Sequence, residues 1–131
     1  SKLANLLFTF ELQRRLAAAG AGTVAVAAHP GVSDTNLAGS TGGLTGTLMS
    51  ATKPLAKLFS QSSQMGALPT LRAAVDPAVR GGEYVGPDGF MEQRGHPQVV
   101  QASAAANDTA VAARLWDVTV VLTGVPFQGL G

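Results

Sequence analysis

Two short stretches contain the residues whose types and spacing could support chemistry. Lys2 opens a helical pattern, and the heptapeptide His29–Thr35 (HPGVSDT) directly follows an apolar run. A lysine ammonium can stabilise the anionic form of an acidic side chain one helical turn away, because residues three or four apart are neighbours on one helix face. Taken alone, Lys2 is better interpreted as a solvated lysine at a helix end.

The second stretch contains a Pro-Gly turn at the end of a predicted strand. Residues 23–28 are a continuous run of small, mostly apolar residues, which is typical of a strand buried on both faces in a parallel sheet. Pro30 cannot donate to a strand ladder and ends the run, and Gly31 permits close approach to the backbone. Ligands of open α/β sheets bind at the carboxyl ends of strands. On its own, however, Pro-Gly after a strand usually marks only a turn.

The composition excludes several classes of protein. The 131 residues include nine basic and eight acidic side chains, and no basic run exceeds Arg14-Arg15, so a nucleic-acid partner has no electrostatic support. There is no Cys, and His29 and His96 lie far apart, so neither disulfides nor a metal site is expected. No stretch reaches the roughly 18 apolar residues of a membrane span. We expect a cytoplasmic protein.

The first predicted element is a helix over residues 1–19. Leu3, Leu7 and Phe10 recur at helical spacing, and Gly20 provides a stop. Further leucines widen the apolar surface beyond one stripe, and a helix of this kind is covered on more than one side. We therefore expect it to pack on a sheet and on a second surface, either a neighbouring helix or another subunit.

A second helix and a second strand follow. Ser62 or Ser63 can cap the helix, which ends before Asp76-Pro77. Pro69 inside it predicts a kink or a later start. The strand covers residues 83–86, after a pair of glycines.

The final predicted helix completes an α/β order of elements. Asn107 or Asp108 caps it, and its apolar residues recur at spacings of four, three and four, at Val111, Leu115, Val118 and Leu122. Two strands alone cannot form a doubly wound sheet. The Gly-rich stretch at 39–43 follows no strand, so it is predicted to be a flexible loop rather than a phosphate cradle. Tyr84, the only tyrosine, has no lysine four residues after it.

Four segments, in matching order and spacing, resemble the short-chain dehydrogenase/reductase family, particularly its retinol-dehydrogenase-like branch. They are Ser1–Phe8, Val24–Thr35, Gly81–Pro87 and Arg114-Leu115-Trp116. The resemblance implies an α/β fold in which residues 1–131 are the C-terminal half of one dinucleotide-binding domain with a doubly wound parallel sheet (Rossmann-type). On this interpretation the chain begins just after the catalytic tyrosine of the family, and the N-terminal half of the domain is absent from it.

The resemblance also implies roles for individual residues. Lys2 is expected to be catalytic and to hold the ribose hydroxyls of the nicotinamide nucleotide. Pro30, Gly31, Val32 and Thr35 are expected to bind the nicotinamide end of the cofactor, which is NADP or NAD. The residues that select between these two cofactors follow an earlier strand of such domains, so both remain open.

The reaction implied is the interconversion of a carbonyl and an alcohol by an oxidoreductase. A lipophilic small-molecule substrate is expected under residues 36–64, with contacts from Leu37, Leu48 and Met49. A homo-oligomer through the first helix is a further expectation. The alternative is a non-catalytic assembly module derived from a dehydrogenase, which would use its apolar helices for association. A tyrosine four residues before Lys2 in the full-length protein would favour the enzyme.

Overall fold

The computed structural model describes residues 2–31, 62–89, 94–127 and 129. The helices are α1 (Lys2–Ala18), α2 (Ser63–Val75) and α3 (Thr109–Thr123), and a short 3-10 helix covers Ala104–Asn107. The strands are β1 (Ala27–Ala28), β2 (Tyr84–Pro87) and β3 (Pro97–Val99). The chain is therefore α/β, as predicted. Among the described residues, no helix has the length and apolar character that crossing a membrane requires.

The three strands form one sheet in the order β1-β2-β3. The amides of Ala27 and His29 donate to the carbonyls of Glu83 and Val85, each at 3.0 Å, and this constant offset makes β1 and β2 parallel. The amides of Asp88 and Val100 donate to the carbonyls of His96 and Tyr84 at 2.9 and 2.8 Å. Residue numbers fall along β3 as they rise along β2, so the two strands form an antiparallel hairpin. The sequence pattern did not predict β3.

The first strand is shorter than the predicted run of residues 23–28. The Ala25 amide donates to the side chain of Gln13 at 2.8 Å, and Val24 is 55% exposed. Because β1 stands at the end of the strand order, it has only β2 as a neighbour in the described sheet. None of the residues 23–28 is buried, so the prediction of a strand buried on both faces along this run is wrong for the described structure.

Internal contacts divide the chain into two units. The first comprises Ser1–Ala27, Asp76–Tyr84 and Val99–Gly131, and the second comprises Ala28–Val75 and Val85–Gln98. In the first unit, α1 packs against α3 and the 3-10 helix, so one partner of α1 is a neighbouring helix, as expected. Its buried apolar residues are Leu7, Phe10, Ala106, Ala112 and Trp116. In the second unit, Gly66, Pro69, Val85, Gly86 and Pro87 are buried.

The helix ends follow local rules that the sequence makes visible. Gly20 has a positive φ of 65°, and the Ala21 amide donates to the Leu16 carbonyl at 3.0 Å, which closes a Schellman motif. The Ser62 hydroxyl accepts from the Met65 amide at 3.3 Å, so Ser62 rather than Ser63 caps α2. Asp108 caps α3, accepting from two backbone amides at 3.0 Å each.

Two predictions about the helices are corrected. Pro69 lies inside α2, which begins directly after Ser62, so the later start is wrong. The buried face of α3 is formed by Ala112 and Trp116. The predicted apolar stripe lies mostly outside that face, because Val111 and Val118 are about half exposed and Leu122 is 80% exposed. The face that meets α1 decides which residues of α3 are buried, and the spacing of apolar residues alone did not identify it.

Candidate active site

Lys2 is the first residue of α1 and its side chain is exposed. Its ammonium forms neither an ion pair nor a hydrogen bond with another residue of the described structure. An exposed ammonium on the first turn of a helix is available to a ligand. The same position also fits the alternative of a solvated lysine, so the chemistry of Lys2 depends on what is bound beside it.

The position of Lys2 depends on how α1 is fixed to α3. Phe8 of α1 stacks on Trp116 of α3, with ring centroids 5.2 Å apart and planes 15° apart. The guanidinium of Arg15 lies 4.6 Å from the centroid of the Trp116 ring, which is cation–π geometry. Phe127 closes the cluster, with its centroid 4.8 Å from that of Trp116. These contacts fix the rotation of α1 about its axis and hence the direction of its first turn.

Glu11 is a buried carboxylate on the same face of α1. It accepts hydrogen bonds from Arg14 Nη2 at 2.6 Å, from Arg14 Nε at 3.0 Å and from Arg15 Nε at 2.8 Å. Burial acts to raise the pKa of Glu11, but the hydrogen bonds and positive charges of the two arginines outweigh it and hold the pKa below its usual value. The prediction of an apolar face for α1 missed this residue. The signal was present, because arginines three and four residues after a glutamate can reach it.

The Pro-Gly turn after β1 has a defined geometry. Gly31 has a positive φ of 67°, a conformation that favours glycine because it lacks a Cβ. Its amide donates to Nδ1 of His29 at 3.3 Å. The backbone of His29 is itself fixed, because its amide donates to Val85 of β2. The predicted turn is thus present at the carboxyl end of a parallel strand.

Gly86 of β2 is the second residue that the sequence interpretation did not identify. A Cβ built on Gly86 would overlap Nε2 and Cδ2 of the His29 imidazole. The side chain of His29 therefore occupies the space above a strand residue that has no side chain of its own. His29 thus both packs against the sheet and accepts a hydrogen bond within the turn.

The structure places the predicted site residues as follows. Pro30 and Gly31 lie together in the turn, which belongs to the second unit, whereas Lys2 belongs to the first unit. Val32, Thr35, Leu37, Leu48 and Met49 lie outside the described residues. Within the described part of the chain, no group of three or more His, Cys, Asp or Glu side chains is arranged to hold a metal ion.

Several known proteins that are similar to this chain are named as dehydrogenases or as dehydrogenase/reductases. The chain is 35% identical to human retinol dehydrogenase 11 over 128 residues, which is 98% of this chain and 36% of that protein. It is 38% identical to human retinol dehydrogenase 13 over 129 residues, 95% of this chain and 35% of that protein. A short chain dehydrogenase/reductase of Macrophomina phaseolina, dpmpH, is 32% identical over 119 residues, 91% of this chain and 55% of that protein.

A solved structure is also similar to this chain. An uncharacterized protein from Mycobacterium paratuberculosis superposes with a TM-score of 0.67 at 41% identity, over 97% of this chain and 38% of that one. No protein-family profile matches the chain. The chain spans about a third of the length of the human retinol dehydrogenases it matches. The homologues that match nearly all of this chain are thus retinol dehydrogenases and short-chain dehydrogenase/reductase family proteins.

Proposed function

We propose that the full-length protein is an NAD(P)-dependent oxidoreductase that interconverts a carbonyl and an alcohol. In this proposal residues 1–131 form the C-terminal half of its single dinucleotide-binding domain. One observation carries the proposal: a left-handed turn at Gly31 directly follows a parallel strand. The similarity of the chain to retinol dehydrogenases supports the same function. The carboxyl ends of parallel strands are where open α/β sheets bind dinucleotides.

Features of two single residues, each within its own unit, support a nicotinamide nucleotide. Gly31 offers bare backbone to a flat ring, and the exposed ammonium of Lys2 is a donor suited to ribose hydroxyls. When bound, the nicotinamide would supply or accept the hydride. Pro30 and Gly31, with the Val32 backbone and the Thr35 hydroxyl, would hold its carboxamide end and orient the ring. NAD and NADP remain alternatives in this proposal.

Lys2 would also set the protonation of the catalytic group. In the full-length protein a tyrosine four residues before Lys2 would share its helix face. The Lys2 ammonium would stabilise the phenolate and bring the pKa of that tyrosine toward neutrality. The phenol could then donate its proton to the carbonyl oxygen during reduction and recover it during oxidation. Exposure of Lys2 at the first turn of α1 supports this role.

The substrate proposed is a lipophilic aldehyde, ketone or alcohol. Leu37, Leu48 and Met49 would contribute apolar contacts to it, and two relatives are named for retinol, an apolar alcohol. A cytoplasmic location and a homo-oligomer through the first helix stay predictions of the same kind.

One observation favours the alternative of a non-catalytic assembly module. The end of α3 and the segment after it carry exposed apolar side chains, with Val121 and Leu122 each 80% exposed and Val125 54% exposed. Contiguous exposed apolar surface often marks an association site. An enzyme that assembles through this surface would show it as well, so only a catalytic measurement separates the two functions.

The deciding experiment uses the purified full-length protein. NADH and NADPH oxidation would be followed with a series of unbranched aldehydes of increasing length, with retinal as a bulky member. We expect turnover with one of the two cofactors and a KM that falls as the aldehyde lengthens. A folded protein of uniform size that binds neither cofactor and reduces no aldehyde would overturn the proposed enzyme activity and favour the assembly module.

A further inference from the structure

We infer that His29 is a positioning residue that holds the Pro-Gly turn in its cofactor-binding geometry. The inference rests on the proposed function, because it assigns the turn to the cofactor. Its structural part stands on contacts within the second unit. His29 would touch neither the reacting atoms nor the substrate, and it would act through Gly31.

The imidazole is held from both sides. Its Nδ1 accepts the hydrogen bond from the Gly31 amide at 3.3 Å, which requires a lone pair on that nitrogen and hence an Nδ1 that carries no proton. The ring lies against the backbone of Gly86, which is buried in the middle of β2. A side chain on Gly86 would take the space of the ring. The side chain of His29 therefore links the central strand to the turn.

The hydrogen bond fixes the peptide plane between Pro30 and Gly31, and because the proline ring already restricts φ of Pro30, it determines ψ of Pro30. Gly31 has a φ of 67°, and glycine samples such values about as readily as negative ones. A glycine therefore permits this conformation without enforcing it. The bond between the Gly31 amide and His29 fixes the direction in which the chain leaves β1 as far as Gly31, and the glycine then allows the positive φ that follows. This is preorganisation of a binding loop, which lowers the cost of ordering on ligand binding.

Substitutions at two residues separate the hydrogen bond from the packing of the ring. H29L keeps an apolar side chain over Gly86 and removes the acceptor, whereas H29N retains an oxygen that can accept from the amide two residues later. G86A leaves His29 in the chain but displaces its ring. The matched control is H96L, because His96 is exposed and its side chain has no part in the turn.

The experiment measures cofactor binding by fluorescence titration, steady-state kinetics and amide exchange in the full-length enzyme. For H29L and G86A we expect the cofactor Kd and KM to rise roughly twofold to tenfold, the range of one neutral hydrogen bond. The KM of the carbonyl substrate should not change. The Gly31 amide should exchange slowly in the unsubstituted enzyme and in H29N, and fast in H29L. H29N should bind cofactor nearly as well as the unsubstituted enzyme, and H96L should be indistinguishable from it.

The outcomes distinguish this inference from the proposed function. An unsubstituted protein that binds neither NAD nor NADP overturns the proposed function and the cofactor part of the inference together. An enzyme that binds cofactor normally, but whose H29L variant does so equally well, overturns only the positioning role of His29. Fast exchange of the Gly31 amide in the unsubstituted protein would also overturn it, and this readout applies even if H29L fails to fold.

Discussion

Single residues in this chain acquire their meaning from what surrounds them. Lys2 is an exposed side chain on a first helical turn, which by itself indicates nothing beyond solubility. The Gly31 turn and the similarity to retinol dehydrogenases make a catalytic role the better proposal. Glu11 is the opposite case, because its chemistry is visible in its own hydrogen bonds and its role is structural.

The substitution K2A in the full-length enzyme should remove most of the turnover and leave the fold intact. General acid and base contributions are about 10²–10⁴-fold, which sets the expected loss in kcat. The melting temperature should not change, because the Lys2 side chain is exposed and unpaired with other described residues. R114A, at an exposed cation on α3, is the control. A folded K2A enzyme with near-normal kcat would remove Lys2 from the active site.

The substitution E11Q should destabilise the protein at neutral pH and flatten the acid side of its stability profile. The pKa of Glu11 is lower in the folded state than its ordinary value of 4.5. A lowered folded pKa contributes stability that is present above the unfolded value and is lost as the pH falls through the folded value. Hydrogen bonds to charged groups are each worth about 1.5–3 kcal/mol, so a loss of that order is expected at pH 7.

The measurement for Glu11 is the free energy of unfolding by denaturant between about pH 3 and pH 7, the range around the ordinary carboxyl pKa. The difference between the parent and E11Q should be largest at pH 7 and should shrink as the parent protonates Glu11. D117N, at an exposed carboxyl of α3, is the control. A difference that is independent of pH would show that Glu11 acts by packing rather than by its charge.

At the scale of the elements, features that depend on residues close in sequence were predictable, and features that depend on tertiary contacts were not. Gly20 was predicted as a helix stop and each other cap was narrowed to two neighbouring residues, because a cap is defined by residues within one turn of it. The structure selects Ser62 and Asp108. The three-residue strand β3 was not, because its pairing depends on the hairpin that returns it to β2. The buried face of α3 was also missed, since contact with α1 selected Ala112 and Trp116.

The same contrast between local and tertiary causes applies to the candidate site. The Pro-Gly turn was predictable from its residue types, and its position after a strand was correct. The roles of His29 and Gly86 required knowledge of which strand lies beside β1. Because glycine is so often a turn residue, its residue type alone did not indicate that Gly86 would lie beneath an imidazole.

The substitution G20A should destabilise the end of α1 through backbone strain alone. Gly20 has a φ of 65°, and a Cβ there would meet nothing within 4 Å. A left-handed conformation costs an alanine about 1–2 kcal/mol, so we expect a loss of that size in chemical unfolding. G22A is a matched control, because a Cβ on Gly22 also meets no atom and its φ is not positive. Equal effects of the two substitutions would argue against the strain at Gly20.

At the scale of the whole molecule, the chain passes from one unit to the other several times. Each unit combines segments that are distant in sequence, so neither corresponds to a continuous stretch that a linker would mark. The sequence contains no such linker, and for that reason a single domain segment was predicted. Some apolar side chains of the first unit, such as Val121 and Leu122, are left largely uncovered by the described residues.

Residues 1–131 expressed alone should associate and should bind NAD(P) negligibly. The exposed apolar side chains of α3 favour association. The proposed cofactor site also needs a phosphate-binding turn, and no strand followed by a helix among the described residues provides one. Sedimentation and cofactor titration would test both expectations. A double substitution, V121S with L122S, should reduce association without restoring cofactor binding. A monodisperse parent fragment with tight cofactor binding would contradict the proposed half-domain.

The aromatic cluster of Phe8, Trp116 and Phe127 also determines which part of this chain intrinsic fluorescence reports on. Trp116 is the only tryptophan and Tyr84 the only tyrosine, and both lie in the first unit. Trp116 is buried between Phe8, Phe127 and Arg15, so its emission should shift to longer wavelengths when α1 separates from α3. The second unit contains neither chromophore and stays silent. A spectroscopist following intrinsic emission would thus record the loosening of the helix pair that holds Lys2, and would see nothing of the turn that holds Gly31.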